Sequence, residues 1–267
     1  MNNRVETFRG NRIFLGCAYW AFVLYVFVPL ILMVLMGFKD SNFIGFPIRS
    51  WTLDWYKGVF ADAEVLSTFG YSITIAILST LISIMVGTWI AVLLEGRKFW
   101  GRAAIFGMTI LPALVPGIIS AIAFRIYARY LGIEPGMGAI IWAHAVHNVP
   151  FVVLVIMARL STLPKSQTEA ARDLGADPLV SFIRVTLPYL VPAIIGASIF
   201  CLLLSFDDFV RSFFLGGYEP TLPVLIFAKL RSGMSPEINA IATFALVLTA
   251  AIGLWAERFT RRMNKER

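Results

Sequence analysis

Six segments of this chain are long and apolar enough to cross a lipid bilayer, and this feature limits the fold more than any other. They cover roughly Ile13–Phe38, Tyr71–Leu94, Ala103–Tyr127, Ala139–Leu160, Tyr189–Val210 and Asn239–Trp255. A transmembrane helix needs about 20 mostly apolar residues. A helix also satisfies its own backbone hydrogen bonds where water is absent. The sequence therefore predicts an all-α membrane protein with six transmembrane helices, in which residues 1–267 form a single transmembrane domain.

The composition supports this class and excludes others. Of the 267 residues, 58% are hydrophobic and 15% are charged, whereas a soluble domain is about half apolar and a quarter charged. The net charge of +7 does not indicate a nucleic-acid partner, because the basic residues form short clusters beside apolar segments. Cys17 and Cys201 both lie in apolar segments and are interpreted as small buried hydrophobes, not as a disulfide.

The distribution of basic residues predicts the orientation in the membrane. If the N-terminus is cytoplasmic, 15 of the 23 lysines and arginines fall on the cytoplasmic side, among them Arg4, Arg9, Arg12, Arg97 and Lys98. Such an excess marks the inner side of a membrane protein. Both termini are therefore expected in the cytoplasm. The N-terminal apolar segment is longer than the roughly 7–15 residues of a signal-peptide core, so it is expected to remain as the first helix.

The most polar stretch in the second half of the chain, residues 164–192, predicts two short helices with a sharp corner between them. Ser166, with an acidic residue three positions later, fits a capping box at the start of the first helix. Gly175 is placed to end that helix in a left-handed turn. Asp177 can cap a second helix that has Pro178 at its first position. The same orientation places this corner in the cytoplasm.

The third segment contains Pro112 and Pro116. Each proline removes a helical hydrogen bond and clashes with the preceding turn. In hydrocarbon the freed carbonyls need other partners, so such backbone normally faces protein or water. The sequence predicts a kinked helix, either beside a translocation path or bent for packing alone.

The fourth segment carries His144, His147 and Asn148. Polar side chains inside a membrane helix face the protein interior or a cavity. The two histidines share a helix face because they are three residues apart. A metal site is not expected, because no further ligand completes a local set. Hydrogen bonding between helices is the preferred interpretation, and His147 and Asn148 are also candidates for a substrate path.

The fifth segment ends in two adjacent carboxylates, Asp207 and Asp208. Apolar flanks would draw them partly into the bilayer, where they would attract a cationic solute and lower its desolvation cost. Alternatively they are structural, with Arg211 close enough to pair with Asp208. Both alternatives stay open at this point.

The cytoplasmic corner, about residues 161–188, resembles the coupling loop of permease subunits in binding-protein-dependent ABC importers. In order, the matching residues are Glu169, Ala170, Ala171, Gly175, Phe182, Leu187, Pro188 and Pro192. The chain departs from the usual pattern only in Arg172-Asp173-Leu174. From about His144 onward, Ser205-Phe-Asp-Asp, a later Leu-Pro and Ser235-Pro-Glu-Ile-Asn-Ala are similar to spermidine/putrescine permeases.

This resemblance implies a type I ABC importer permease fold in the bacterial inner membrane. It implies three kinds of partner besides the lipid bilayer: a second homologous permease, a dimer of ATP-binding subunits, and a periplasmic solute-binding protein. ATP and Mg²⁺ would bind to the ATPase, so this chain itself is expected to hold no cofactor and to be no enzyme. The residues expected to couple to the ATPase are Glu169, Ala170, Ala171, Arg172, Asp173 and Gly175.

The implied solute is a polyamine such as putrescine or spermidine, with another small amine, an amino-acid derivative or an opine as the alternative.

The chain has no Gly-Lys-Ser/Thr phosphate loop, so it does not bind ATP in the usual cradle. A secondary transporter is one alternative. It would need ionisable coupling residues inside the membrane, and His147 and Asp207 are the candidates. It would also be expected to contain inverted repeats, and the sequence shows none. A membrane scaffold without a solute path is the other alternative.

Overall fold

The computed structural model describes residues 2–41, 45–96 and 99–265, and for residues 2–13, 96 and 260–265 only the backbone. Arg97 and Lys98, and the side chains of Arg4, Arg9 and Arg12, therefore lie outside the described residues. The described chain is helical nearly throughout. In chain order the helices are α1 (Asn2–Met36), α2 (Asp54–Ala61), α3 (Ala63–Gly96), α4 (Arg102–Leu114), α5 (Gly117–Tyr130), α6 (Met137–Leu160), α7 (Lys165–Asp173), α8 (Pro178–Ser181), α9 (Leu187–Phe206), α10 (Phe209–Leu215), α11 (Leu222–Ser232) and α12 (Pro236–Lys265).

Backbone contacts divide the described chain into two compact units. The first combines the described residues up to Asp62 with Ala228–Leu246. The second combines Ala63–Phe227 with the described residues from Val247 onward. Every site residue predicted from the sequence belongs to the second unit.

Five stretches of helix are long and apolar enough to cross a membrane. They are Phe14–Met36, Ala63–Glu95, Met137–Leu160, Pro178–Phe206 and Pro236–Phe259. These stretches confirm the first, second, fourth, fifth and sixth predicted segments. The fifth is longer than predicted, because α8, the π-helical turn Phe182–Thr186 and α9 follow one another without a break.

The third predicted segment is broken, so the prediction of one kinked helix from Ala103 to Tyr127 is wrong. Helices α4 and α5 are bent by 108°, and the pair counts as a span only if both halves are taken together. Val115 and Pro116 separate them, both with extended ψ angles, 129° and 136°. Pro116 causes the break because it has no N–H and because it disfavours the helical conformation of the residue before it. Pro112, by contrast, stays inside α4.

Helices α3, α6 and α9 form the core of the second unit. The fully or nearly fully buried apolar residues of one cluster are Ala91, Leu94, Val152, Val153, Ile156, Leu190, Ala197 and Cys201. Serines lie between the same helices, and the Ser83 hydroxyl donates to the Ala145 carbonyl across α3 and α6 at 3.2 Å. Small residues allow membrane helices to approach closely, and hydroxyls can bond across the interface.

In the first unit, α1 has most of its apolar side chains exposed, including Phe14, Tyr25 and Ile31. A helix that is apolar on all sides, with little of its surface covered by protein, suits a lipid environment. After α1 the chain turns back, and the Trp55 indole donates to the Lys39 carbonyl at 2.9 Å.

Candidate functional site

The first candidate site is the corner formed by α7, α8 and the residues between them, called the elbow below. Helix α7 begins at Lys165, and Pro164 is its N-cap without a side-chain hydrogen bond. The amide of Gln167 donates to the Pro164 carbonyl at 3.1 Å. Ser166 therefore lies within the first helical turn, where its hydroxyl cannot cap the third residue. The predicted capping box is wrong, because the helix begins earlier than Ser166 requires.

Gly175 ends α7 as predicted. Its φ of +84° is in the left-handed region, which costs a residue with a Cβ but not glycine. The Ala176 amide donates to the Ala171 carbonyl at 3.0 Å, and the Gly175 amide donates to the Arg172 carbonyl at 2.8 Å. These two bonds form a Schellman motif, which satisfies the last carbonyls of the helix. The chain thus reverses sharply at Gly175.

The start of α8 also follows the prediction. The Asp177 carboxylate accepts a hydrogen bond from the Val180 amide at 2.8 Å, and Pro178 occupies the first helical position. The π-helical turn then leads into α9, and the Phe182 ring stacks on Trp89 of α3 with centroids 5.6 Å apart. The elbow is therefore joined directly to a membrane-spanning helix.

The predicted coupling residues lie together on α7 and at its C-terminal end. Glu169, Ala170, Arg172, Asp173 and Gly175 are exposed, and Ala171 is half-buried. Leu174, which the sequence reasoning passed over, is 89% exposed beside them. A large apolar side chain in a polar segment was the only local signal, and it is a weak one because single exposed apolar residues are common. The elbow therefore presents charged, small and apolar side chains on one short segment.

The second candidate site lies where α9 ends and α10 begins. Asp207 and Asp208 form the junction, and the Asp208 carboxylate caps α10 by accepting from the Arg211 amide at 2.9 Å. The Arg211 guanidinium also pairs with the other oxygen of Asp208. The side chains of this pair are only 8% and 6% exposed. Asp208 is thus engaged by its neighbour on the same helix.

Asp207 differs from Asp208 in its surroundings. It is exposed, and no hydrogen bond or ion pair to its side chain is found among the described residues. Adjacent residues at the end of a helix point in different directions, so one carboxylate faces the interior and the other faces out. The structure therefore separates two side chains that the sequence presents as a pair.

His144 is buried and lies at the centre of a hydroxyl network. Its Nδ1 is 2.7 Å from the Ser205 hydroxyl, which is 2.9 Å from the Ser79 hydroxyl. Its Nε2 is 3.4 Å from the Ser212 hydroxyl and 3.9 Å from the Asp208 carboxylate. These contacts join α6 to α3, α9 and α10. The predicted hydrogen-bonding role between helices is confirmed for this residue.

His147 and Asn148 make separate contacts. The Nδ1 of His147 is 2.9 Å from Nη2 of Arg211, and its ring packs edge-on against Phe151. The Asn148 amide donates to the Cys201 carbonyl at 3.2 Å and is buried. Within residues 14–259, the range for which side chains are described apart from two short gaps, no three His, Cys, Asp or Glu side chains come together as metal ligands would.

The serines of this site were not predicted. Ser120, Ser205 and Ser212 contact His144 or Arg211, and Ser79 contacts Ser205. Serines that recur within apolar segments are the only local signal for such a network. Their partners lie on other helices, so the sequence of one segment does not reveal them.

Comparison with known proteins agrees with this architecture. The family described as "Binding-protein-dependent transport system inner membrane component" matches residues 83–266. The chain is 30% identical to the spermidine/putrescine transport system permease protein PotC of Haemophilus influenzae, over 95% of this chain and 99% of that protein. It is 34% identical to the putrescine transport system permease protein PotI of Escherichia coli, over 91% and 89% of the two chains.

Solved structures show the same fold at lower sequence identity. A bacterial ABC transporter involved in the import of the acidic polysaccharide alginate has a chain that superposes with a TM-score of 0.76, at 18% identity and over 96% of both chains. The methionine ABC transporter MetNI in an inward-facing conformation gives a TM-score of 0.62, at 19% identity, over 72% of this chain and 92% of that chain. The chain therefore belongs to the family of inner membrane components of binding-protein-dependent transport systems, as a multi-pass permease with the fold of ABC importers.

Proposed function

We propose that this permease forms half of a pore through which an ABC importer carries a small cationic amine, such as putrescine or spermidine, into the cytoplasm. The observation that carries the proposal is its identity of 30–34% to spermidine/putrescine and putrescine permeases over about nine-tenths or more of the chain. The likeness to an alginate transporter shows that the fold alone does not select the charge of the solute. The solute assignment therefore depends on the sequence relatives and on the chemistry of the site.

The exposed Asp207 supports a cationic solute. Asp208 and Arg211 neutralise each other, which leaves Asp207 as a negative group without a partner among the described side chains. A carboxylate at the end of a membrane helix lowers the cost of removing an ammonium group from water. We assign Asp207 the role of meeting the solute, and we assign His147, Asn148 and Asp208 to the same substrate path.

The elbow supports a partner that drives transport. Its exposed residues suit docking onto an ATP-binding subunit, which would hold ATP and Mg²⁺. The complete importer would contain a second homologous permease, a dimer of that ATPase and a periplasmic binding protein. Both termini and the elbow would lie in the cytoplasm, in keeping with the distribution of basic residues.

The connection from the elbow to α9 suggests how the two sites cooperate. ATP-driven closure of the ATPase dimer would push the elbows of both permeases together. The push would pass through the π-helical turn into α9, whose 20 residues span about 30 Å. Asp207 follows the last residue of α9. Movement at the elbow would thereby alternate the access of Asp207 between the two sides of the membrane.

Uptake into proteoliposomes tests this function. The permease is reconstituted with its homologous permease and ATPase, ATP is enclosed, and the binding protein and radiolabelled putrescine or spermidine are added outside. We expect ATP-dependent accumulation of at least one polyamine. Vesicles without the ATPase, given an ion gradient, serve as the control.

Two results would contradict the proposal. Accumulation without the ATPase would indicate a secondary transporter. ATP-dependent uptake of a neutral amino-acid derivative or an opine, with no uptake of either polyamine, would keep the importer and reject the solute.

A further inference from the structure

Arg211 carries a charge that is buried inside the membrane-spanning unit. Its side chain is 6% exposed. A guanidinium in such surroundings is costly unless it is paired and hydrogen-bonded. Asp208 supplies the opposite charge from the N-cap position of the same short helix, α10. This pair alone would be enough to neutralise the charge, yet the guanidinium makes further contacts.

The other end of the guanidinium reaches two more helices. Its Nη2 donates to Nδ1 of His147 on α6 at 2.9 Å and lies 3.4 Å from the Ser120 hydroxyl on α5. The planar, branched guanidinium can bond in several fixed directions at once, which lysine cannot do. Arg211 of α10 thus contacts two other helices: α5, which follows the break in the third span, and α6.

His147 extends this contact to the other side of the break. Helix α4 packs against α6, which brings the backbone of Pro112 close to the His147 ring. Because Pro116 has no N–H, the Pro112 carbonyl four residues earlier has no helical donor. Such a carbonyl needs another partner within a membrane. Arg211 donates to Nδ1, so the proton of the neutral ring is on Nε2, and this tautomer leaves an N–H for that carbonyl.

We propose that Arg211 is a positioning residue that fixes the break between α4 and α5 against α6 and α10. It does so by holding Ser120 directly and by orienting His147 toward the carbonyl that Pro116 leaves unpaired. Asp208 orients Arg211. This inference does not depend on which solute is carried.

A disulfide cross-link can report this geometry. A Cβ at Gly117, the first residue of α5, would lie 3.9 Å from Cγ1 of Val210 on α10. That atom is one bond beyond the Val210 Cβ, so a small shift brings the two Cβ atoms within the range of a disulfide. The reporter is Gly117→Cys with Val210→Cys, in a chain in which Cys17 and Cys201 are replaced by alanine. The assembled importer is treated with a protease that cuts the chain between positions 117 and 210. A cross-link is detected when the two fragments stay joined on a gel under non-reducing conditions.

The decisive variant removes both charges and keeps the helix cap. Asp208→Asn with Arg211→Met leaves no buried unpaired charge, and asparagine caps a helix as well as aspartate does. If Arg211 positions the break, this double variant reaches the membrane in normal amounts but cross-links several-fold less and transports several-fold more slowly. Arg129→Met, which removes an exposed arginine at the end of α5, should change neither quantity.

Two outcomes would overturn the inference. One is that the double variant cross-links and transports like the parent, which would mean that Arg211 only neutralises Asp208. The other concerns a second variant, His147→Leu, which keeps the Asp208–Arg211 pair and removes the contact between Arg211 and His147. This variant tests the inference even if the double variant does not accumulate. An unchanged cross-link in His147→Leu would show that the contact between Arg211 and His147 does not hold the break.

Discussion

Gly87 of α3 lies directly against Val152 of α6. A Cβ at position 87 would come within 2.7 Å of both Cβ and Cγ1 of Val152, and within 3.3 Å of the Val149 carbonyl oxygen. No side chain fits in that space without movement of one helix. Val152 is itself fully buried. The glycine therefore sets the distance between two helices of the core, in the way that small residues do in membrane bundles.

Gly87→Ala is expected to destabilise the permease by about 1–3 kcal/mol, because it overpacks the contact between α3 and α6. The measurement is the temperature at which the detergent-solubilised importer loses its monodisperse peak in size-exclusion chromatography. Gly70→Ala is the matched control, since a Cβ at Gly70 in the same helix meets nothing within 4 Å. Equal loss of stability in both variants would contradict the packing role of Gly87.

Ser205→Ala is expected to destabilise the permease by about 1–3 kcal/mol, because it leaves the buried His144 ring and the Ser79 hydroxyl without their shared partner. The matched control is Ser198→Ala in the same helix, whose hydroxyl donates only to the Ile194 carbonyl one turn earlier. Thermal inactivation of ATP-dependent uptake measures both variants. If Ser198→Ala is as damaging as Ser205→Ala, the network around His144 contributes little.

These contacts show what the sequence can and cannot predict. Hydropathy located the spans, because apolar length is a local property. Glycine and proline chemistry located the turn at Gly175 and the start of α8 for the same reason. The 108° bend after Leu114 was underestimated, since a proline pair indicates a weakened helix but not the direction in which the chain continues. The hydroxyl partners of His144 come from α9 and α10, and no local pattern contains that information.

Asp177→Ala is expected to weaken the elbow, and Ser166→Ala is expected to leave it unchanged. Asp177 caps α8, and loss of such a cap costs about 1 kcal/mol. Ser166, despite the capping-box pattern, makes no cap in α7. Hydrogen–deuterium exchange of the elbow amides in the assembled importer should rise for Asp177→Ala alone. Faster exchange in Ser166→Ala would restore the capping box that the structure contradicts.

Gly175→Ala is expected to reduce the stimulation of ATPase activity by the loaded binding protein. A residue with a Cβ in the left-handed region is strained by about 1–2 kcal/mol, so the turn after α7 would relax and displace Leu174. Gly101→Ala introduces the same kind of strain, at a φ of +94° with open space around it, but outside the elbow. Equal effects of the two substitutions on stimulation would show that the elbow has no special part in coupling.

Asp207→Asn and Asp208→Asn should affect transport in different ways, although the residues are adjacent. Asp207→Asn removes the exposed carboxylate without breaking a described contact, so the KM for the polyamine should rise while thermal stability stays unchanged. Asp208→Asn keeps the cap of α10 but leaves the Arg211 charge buried without its counter-ion. Breaking such a pair costs about 3–5 kcal/mol, so the amount of stable importer should fall. Concentration-dependent uptake, normalised to the amount of folded permease, separates the two effects. If Asp207→Asn lowers stability and leaves KM unchanged, Asp207 does not meet the solute, and the charge that selects a cation must lie elsewhere in the importer.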